Sequence, residues 1–518
     1  MTLREKILKT FVVTIREINM HGGPEKFFKE YPVGGMYYSE ENRLLDENGL
    51  DIGTATSFEV LNECKKHSTK KLLVCADEVI VRGQKFNFSE QKALGGAFNL
   101  EDAYNYGKMI GMQMNDKGID WVLGPSIDMC FDHLMYLTAI SDDPVITADI
   151  YREVVRGIQD QGVCSTVKHF PGLGTNFVNM HMAPGANILP FDEWMNTYGY
   201  VYKEMFKKNV MAVMTTHISL KSYDNEFTDG YYPIATYSKK LTTELLKEKL
   251  GFEGAVVTDA LIMGGMATGD LVAETVQAFR AGADLLLWPP VEAAEKIEEL
   301  ILSGEIPMSR LDDALNRISR MEEFRNNALK NHLYDEPDGS FADKVQYELA
   351  DHGICLLRNN ANLIPLNTQK YKKVLIVDAD EETEGKMTSA EYLQKELVLR
   401  GVEAEVKRDV YDAPSRVCWQ ADVDKVQNEY DLVIFSFNAA FVSEWSVPHI
   451  LVWASHLFDK SKKIIVNYGS PYFAVDYFPE DPTIIEMNCL PAKETAKLLV
   501  DKMYGESVFR GKSLLTKV

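Results

Sequence analysis

The sequence predicts an α/β chain: a TIM-type (β/α)8 barrel at the N-terminal end, followed by a smaller α/β sandwich. Short, almost continuously apolar runs alternate with longer amphipathic stretches over the first two-thirds, as buried parallel strands covered by helices do. Ionisable residues stand where successive apolar runs finish: Asp77, Asp128, Lys168 with His169, His217 and Asp259. In a barrel those ends converge on one mouth. A residue that merely caps the next helix explains one such position, but not all of them together. A large doubly wound sheet shares the alternation, and the clustering at strand ends favours the barrel.

The runs read as strands in order are 71–78 (KLLVCADE), 120–128 (DWVLGPSID), 164–170 (CSTVKHF), 210–219 (VMAVMTTHIS), 254–260 (GAVVTDA) and 283–290 (ADLLLWPP). Between them lie helical patterns such as LEDAYNYGKMIGMQMNDKG and SKKLTTELLKEKLG, the second with a cap at Ser238 and a stop at Gly251. Around 326–345 the chain turns polar and turn-rich, which predicts a linker or surface loop. Strand patterns then resume in GICLLRN, KKVLIVDAD, YDLVIFSFNA, KKIIVNYGSP and PTIIEMNC, with SAEYLQKELVLRG as a helix. The expected domains are 1–335 for the barrel and 350–518 for the sandwich.

Bulk properties narrow the function classes. The chain has 55 basic and 77 acidic residues, a net charge of −22, and no basic stripe, so a nucleic-acid partner is not expected. The acidity is read as solubility. Seven scattered cysteines without a CxxC predict neither a disulfide framework nor a zinc site and fit a reducing compartment. The first twenty residues carry charges throughout, unlike a signal peptide, and no run approaches the roughly 18 apolar residues of a membrane span. A cytoplasmic location without a membrane partner is the expectation. No Walker motif, dinucleotide fingerprint, HExxH or H-x-H appears, so no cofactor and no metal are expected. Oligomeric state is not legible.

Two stretches carry chemistry. GFEGAVVTDALIMGGM sets Asp259 just past a buried strand, where a carboxylate can act as nucleophile, base or ligand. Its glycines Gly264 and Gly265 allow close backbone approach. STVKHFPGLGTNFVNMH, residues 165–181, carries Lys168, His169 and His181 but no acid. Its lysine can donate to sugar hydroxyls or phosphate, or brace a carboxylate.

Taken together, VKHFPG, the loop ending in His181, VMTTHIS and GFEGAVVTDALIMGGM resemble glycoside hydrolase family 3, most closely its β-N-acetylglucosaminidase branch. The resemblance extends from GGMYY near residue 34 to ICLLRNNANLIPL. It implies a barrel followed by a sandwich, a carbohydrate substrate, and retaining hydrolysis through a covalent glycosyl-enzyme. Asp259 matches the family's nucleophile, and His181 matches the acid/base histidine carried on a mobile loop. Lys168 and His169 match the pair that holds sugar hydroxyls. ADEVIVRGQKF aligns with D-Q-E-G-G-R-V-x-R-F and contributes Asp77 and Arg82 as substrate-binding residues. Asp128 and His217 match the family's acid and histidine on the neighbouring strands, and the resemblance makes both further substrate-binding residues. No metal is implied. An imidazole exchanges protons near neutral pH and does not repel an anionic nucleophile, so phosphorolysis is a chemically sensible variant.

The family loop reads K-H-F-P-G-H-G-D-T-x-x-D-S-H, and this chain departs from it. Asn179 replaces the aspartate that supports the catalytic histidine, a loss worth up to about 10⁴ in rate in the serine-protease precedent. Leu173 and Thr175 replace the loop's histidine and acid. Val79, Ile80 and Val81 replace E-G-G, and Thr138 aligns with a sugar-binding arginine. Three readings therefore stand: a glycosidase of altered specificity, a catalytically weakened carbohydrate-binding homologue, and a glycoside phosphorylase. Glu444 and Trp445 are assigned to an ordinary loop.

Overall fold

The computed structural model describes the chain except residues 39–42, 46–50, 55–56, 78–84, 88, 132–137, 176–177, 228–231, 267–268, 381–385, 409, 411–418, 440–446 and 517–518. It divides into two compact units. The first comprises residues 1–84, 103–128 and 151–341; the second comprises 85–102, 129–150 and 342–518.

The first unit is a parallel barrel. Its strands are β1 (Phe11–Val13), β2 (Gly35–Tyr37), β3 (Leu73–Ala76), β4 (Trp121–Val122), β5 (Cys164–Phe170), β6 (Ala212–Thr215), β7 (Ala255–Thr258) and β8 (Leu286–Leu287). Each pairs in parallel with the next up to β7. β8 pairs with β1, Phe11 opposite Leu286, and a bridge from Val257 to Leu285 joins β7 to the approach of β8. The interior is filled by small and branched side chains around Trp121, among them Val12, Cys75, Ala212 and Val257. That packing makes the barrel a solid core that holds residues at its C-terminal mouth.

The differences from the expected elements have physical causes. β1 and β2 are three residues each, too short to register as apolar runs. The run 210–219 breaks at Thr216 and His217, and Ile218–Leu220 pairs instead with Gly185–Asn187. The expected linker around 326–345 is mostly helix. Met308–Asn331 continues through its first half because an apolar stripe, Leu311, Ala314, Ile318, Met321 and Ala328, is buried. A second helix begins at Gly339. Ser238 accepts from Leu241 N–H at the start of its helix (3.0 Å), and Gly251 follows its end at φ +75°.

The second unit holds a six-stranded mixed sheet: β9 (Ile354–Asn359), β10 (Lys373–Asp378), β11 (Glu403–Lys407), β12 (Leu432–Phe437), β13 (Lys463–Asn467) and β14 (Thr483–Met487). The order is β9-β14-β13-β12-β10-β11, all parallel except β9 against β14. Alternate residues serve opposite faces: Val374 and Ile376 meet Leu393 and Leu397, while Leu375 and Val377 meet Phe473 and Phe478. Helix Ser389–Leu399 starts with a capping box from Thr388 and Glu391. Helix Gln91–Ala97 is tied into this unit by Lys92, whose buried ammonium donates to Tyr468 C=O at 2.7 Å. Among the described residues, no helix is long and apolar enough to cross a membrane.

Candidate active site

The barrel sets polar groups at its strand ends. Tyr37 ends β2, Asp77 follows β3, Lys168 and His169 lie in the last turns of β5, Thr216 and His217 follow β6, Asp259 follows β7 and Trp288 follows β8. Parallel strands that end on one face bring these together at one mouth.

Asp259 is held through both carboxylate oxygens. Its N–H donates to Thr215 C=O at 2.8 Å, which extends the ladder one residue past β7. Oδ2 accepts from Thr216 O–H at 2.7 Å, and Oδ1 accepts from Ala260 N–H at 2.9 Å. Burial works against its ionisation, yet His169, His217, Thr216 and Ala260 together hold its pKa below the ordinary carboxylate value. The hydrogen bonds act at every pH, whereas His217 contributes only where its ring is charged.

Lys168 and Asp77 form an ion pair at 2.8 Å, and Tyr37 O–H donates to the other oxygen of Asp77 at 2.8 Å. Desolvation opposes the charge on Asp77, but Lys168 and Tyr37 outweigh it and keep the pKa low. About half of the Asp77 side chain is exposed, so it can exchange partners with a ligand hydroxyl. Asp128 has another task. It accepts from His169 Nδ1–H (2.7 Å), His169 N–H (3.2 Å), Leu173 N–H (2.7 Å) and Ser126 O–H (3.0 Å). Four bonds use the acceptor capacity of a carboxylate, and the side chain is 1% exposed. Asp128 thus orients His169, turning Nε2 away from itself.

His217, expected as a sugar contact, is fully buried. Nε2–H donates to Ala260 C=O (3.1 Å), and Nδ1 accepts from Thr236 O–H (3.0 Å). Burial lowers its pKa, with partial opposition from Asp259. The neutral ring therefore braces the segment that carries Asp259.

His181 lies on the exposed loop after β5. Asn179 Oδ1 accepts both its backbone N–H (3.0 Å) and its ring Nδ1–H (2.8 Å). An amide oxygen only accepts, so the proton sits on Nδ1 and Nε2 is left for proton transfer. Thr175, in place of an acid, braces the loop: its hydroxyl donates to Ala186 C=O (3.3 Å) and accepts from Ile188 N–H (3.1 Å). Leu173 C=O accepts from Tyr198 O–H.

Arg82, Val79, Ile80, Val81, Glu444 and Trp445 lie outside the described residues. Thr138 belongs to the second unit. Tyr37, Thr216 and Trp288 went unread in the sequence, although all three sit at strand ends. Trp288 has a left-handed φ of +62°, rare for a bulky residue, and packs edge-on against Tyr37 at 5.2 Å between ring centroids. Among the described residues, one set outside this mouth cluster has metal-ligand chemistry, Glu17, His21 and Glu292, with ligand atoms within 4.8 Å. Its His21 already contacts Glu292 at 3.2 Å.

Comparison with known proteins agrees with this architecture. The model of the glycosyl hydrolase family 3 N-terminal domain matches residues 2–321, more than half of the chain. A β-N-acetylglucosaminidase/β-glucosidase of Cellulomonas fimi is 25% identical over 451 residues, covering 81% of this chain and 78% of the relative. β-Hexosaminidase A of Pseudoalteromonas piscicida is 22% identical over 401 residues, covering 70% and 67%. Among solved structures, a β-glucoside phosphorylase bound to 2FGlc aligns at TM-score 0.79 with 22% identity, over 99% of this chain and 93% of that one. A family 3 β-N-acetylglucosaminidase from Paenibacillus sp. str. FPU-7 aligns at 0.77 with 20% identity, over 99% of both. With the family model spanning all eight barrel strands, more than half of the chain, the chain belongs to glycosyl hydrolase family 3 and is a glycosidase.

Proposed function

We propose that the protein is a retaining glycoside hydrolase of β-linked sugars, with β-N-acetylglucosaminides as the first substrates to test. Asp259 serves as nucleophile and His181 as acid/base. The observation that carries this is the pairing, on adjoining loops of one barrel mouth, of a carboxylate kept ionised with an imidazole whose Nδ1 is occupied. Asp259 attacks the anomeric carbon while Nε2–H of His181 protonates the departing glycosidic oxygen. Nε2 then removes a proton from water, the resulting hydroxide attacks the same carbon, and Asp259 leaves as carboxylate. Lys168, Asp77 and His169 hold the sugar hydroxyls, with Asp128 and Tyr37 fixing their directions.

Phosphorolysis is the second reading, favoured by one observation. Residues 165–181 contain no carboxylate, and the partner of His181 is the neutral Asn179. A phosphate replacing water would meet no negative charge from this loop.

The test is turnover of p-nitrophenyl glycosides, with and without phosphate, alongside Asp259→Asn. Release that vanishes in the variant supports the assignment. Sugar 1-phosphate as product selects phosphorolysis. A flat panel with retained sugar binding refutes both and leaves a binding protein.

A further inference from the structure

The loop that carries His181 is fastened to the loop that follows Asp259. Gly264 N–H donates to His181 C=O at 2.9 Å, and Gly265 N–H donates to Met180 C=O at 3.1 Å. Both positions require glycine for this approach. A Cβ on Gly264 would stand 2.8 Å from the carbonyl oxygens of His181 and Met182. On Gly265 it would stand 2.5 Å from Met180 C=O and 2.8 Å from His217 Cβ. Backbone cannot yield to such contacts as a flexible side chain could.

Met180 supplies the third fastening. Its neighbours Asn179 and His181 are exposed, but Met180 is only 5% exposed. Its Sδ lies 2.8 Å from Thr216 Oγ1, the hydroxyl that bonds Asp259 Oδ2. That hydroxyl has one proton, and the carboxylate is much the stronger acceptor. The thioether therefore packs against the oxygen as an apolar plug. The bond from Asn179 spans only two residues, so it sets the ring's tautomer without locating the loop.

We infer that Met180, Gly264 and Gly265 form a dock that places His181 over the nucleophile, and that all three are positioning residues. The inference rests on the acid/base and nucleophile assignments proposed above. The dock joins the two halves of the mechanism through Thr216, since one hydroxyl touches both the plug and the nucleophile.

The test compares kcat/KM for a 2,4-dinitrophenyl glycoside, whose leaving group needs no proton, with that for an alkyl glycoside, whose leaving group does. Met180→Ala and Gly265→Ala are expected to lose about tenfold or more on the alkyl glycoside and less than about threefold on the activated one, a fraction of a general-acid effect. Met180→Leu is expected to recover most of the loss. Hydrogen exchange at the Gly264 and Gly265 amides is expected to quicken in Met180→Ala. His181→Ala is the reference and should show the same leaving-group split. If it does and the dock variants do not, the dock is refuted while the acid/base assignment stands. If His181→Ala shows no split, the assignment itself falls and the positioning role falls with it. Equal loss on both substrates, or unchanged exchange, also overturns the dock.

Discussion

Asn179→Asp tests whether His181, as the proposed acid/base, lacks only charge. The carboxylate is isosteric with the amide, so both bonds from His181 can persist, the ring bond at 2.8 Å and the backbone bond at 3.0 Å. What changes is one negative charge beside a ring that becomes positive when protonated. Two unit charges 2.8 Å apart attract by about 1.5 kcal/mol in water, and both side chains are exposed, so the aqueous value applies. That corresponds to about tenfold. At pH 8 an alkyl glycoside should be cleaved about tenfold faster, with little change for a 2,4-dinitrophenyl glycoside. The assay is a pH series on both substrates at about 0.1 M salt, repeated at about 1 M to screen the added charge. An unchanged rate on the alkyl glycoside, with a crystal structure of the variant showing the new carboxylate still bonded to His181, would refute the electrostatic reasoning.

Asp259→Asn should reduce turnover to background while leaving sugar affinity within a fewfold, read by calorimetry with the product sugar; retained turnover would remove Asp259 from the mechanism. Because its pKa is held below the usual carboxylate value, Asp259 should contribute no limb to the wild-type pH profile between about pH 4 and 8. In the second unit, Glu486 on β14 is 1% exposed, and neither carboxylate oxygen has a well-formed hydrogen bond among the described residues. Burial raises its pKa from 4.5 to about 7, against partial relief from Ser513, Arg358 and Lys92. The folded form therefore holds a proton that the unfolded chain releases, so stability falls as pH rises from about 4.5 to about 7 and stays low above it. Glu486→Gln should stabilise the protein by up to about 3 kcal/mol at pH 8 and by little at pH 4, measured by urea unfolding at both. An equal effect at the two pH values would count against a buried neutral acid.

The barrel was legible where its strands are buried on both sides and long enough to show as apolar runs, as in β3 and β5 to β7. β1 and β2 escaped because three residues carry no pattern, and β11 because EAEVK is a half-exposed edge rich in charge. Segments 85–102 and 129–150 look like barrel connections in sequence, and only tertiary partners such as Tyr468 C=O for Lys92 assign them to the second unit. At the mouth, position along the strand was enough to place Asp77, Lys168, His169 and Asp259 together at the strand ends. It could not separate groups left with an open side from groups whose bonds are all taken by the protein. Asp128 and His217 are distinguished only by partners from other segments, Leu173 N–H, Thr236 O–H and Ala260 C=O. Thr216 and Tyr37 went unread because their importance lies in the carboxylates they touch.

At both ends the His181 loop is tied through its own main-chain N–H groups. Leu173 N–H reaches Asp128 at the root, and Gly185 N–H reaches His217 C=O at 3.0 Å where the loop rejoins the barrel. Such bonds are indifferent to which side chain the residue bears. Between those ends, residues other than Met180 and Thr175 can therefore change without the loop being cast adrift, which is how residues as unlike an acid as Leu173 and Asn179 can occupy it together. The same tolerance makes the exposed positions of this stretch, with Met180 kept, a natural place to vary side chains, since both end ties survive each change.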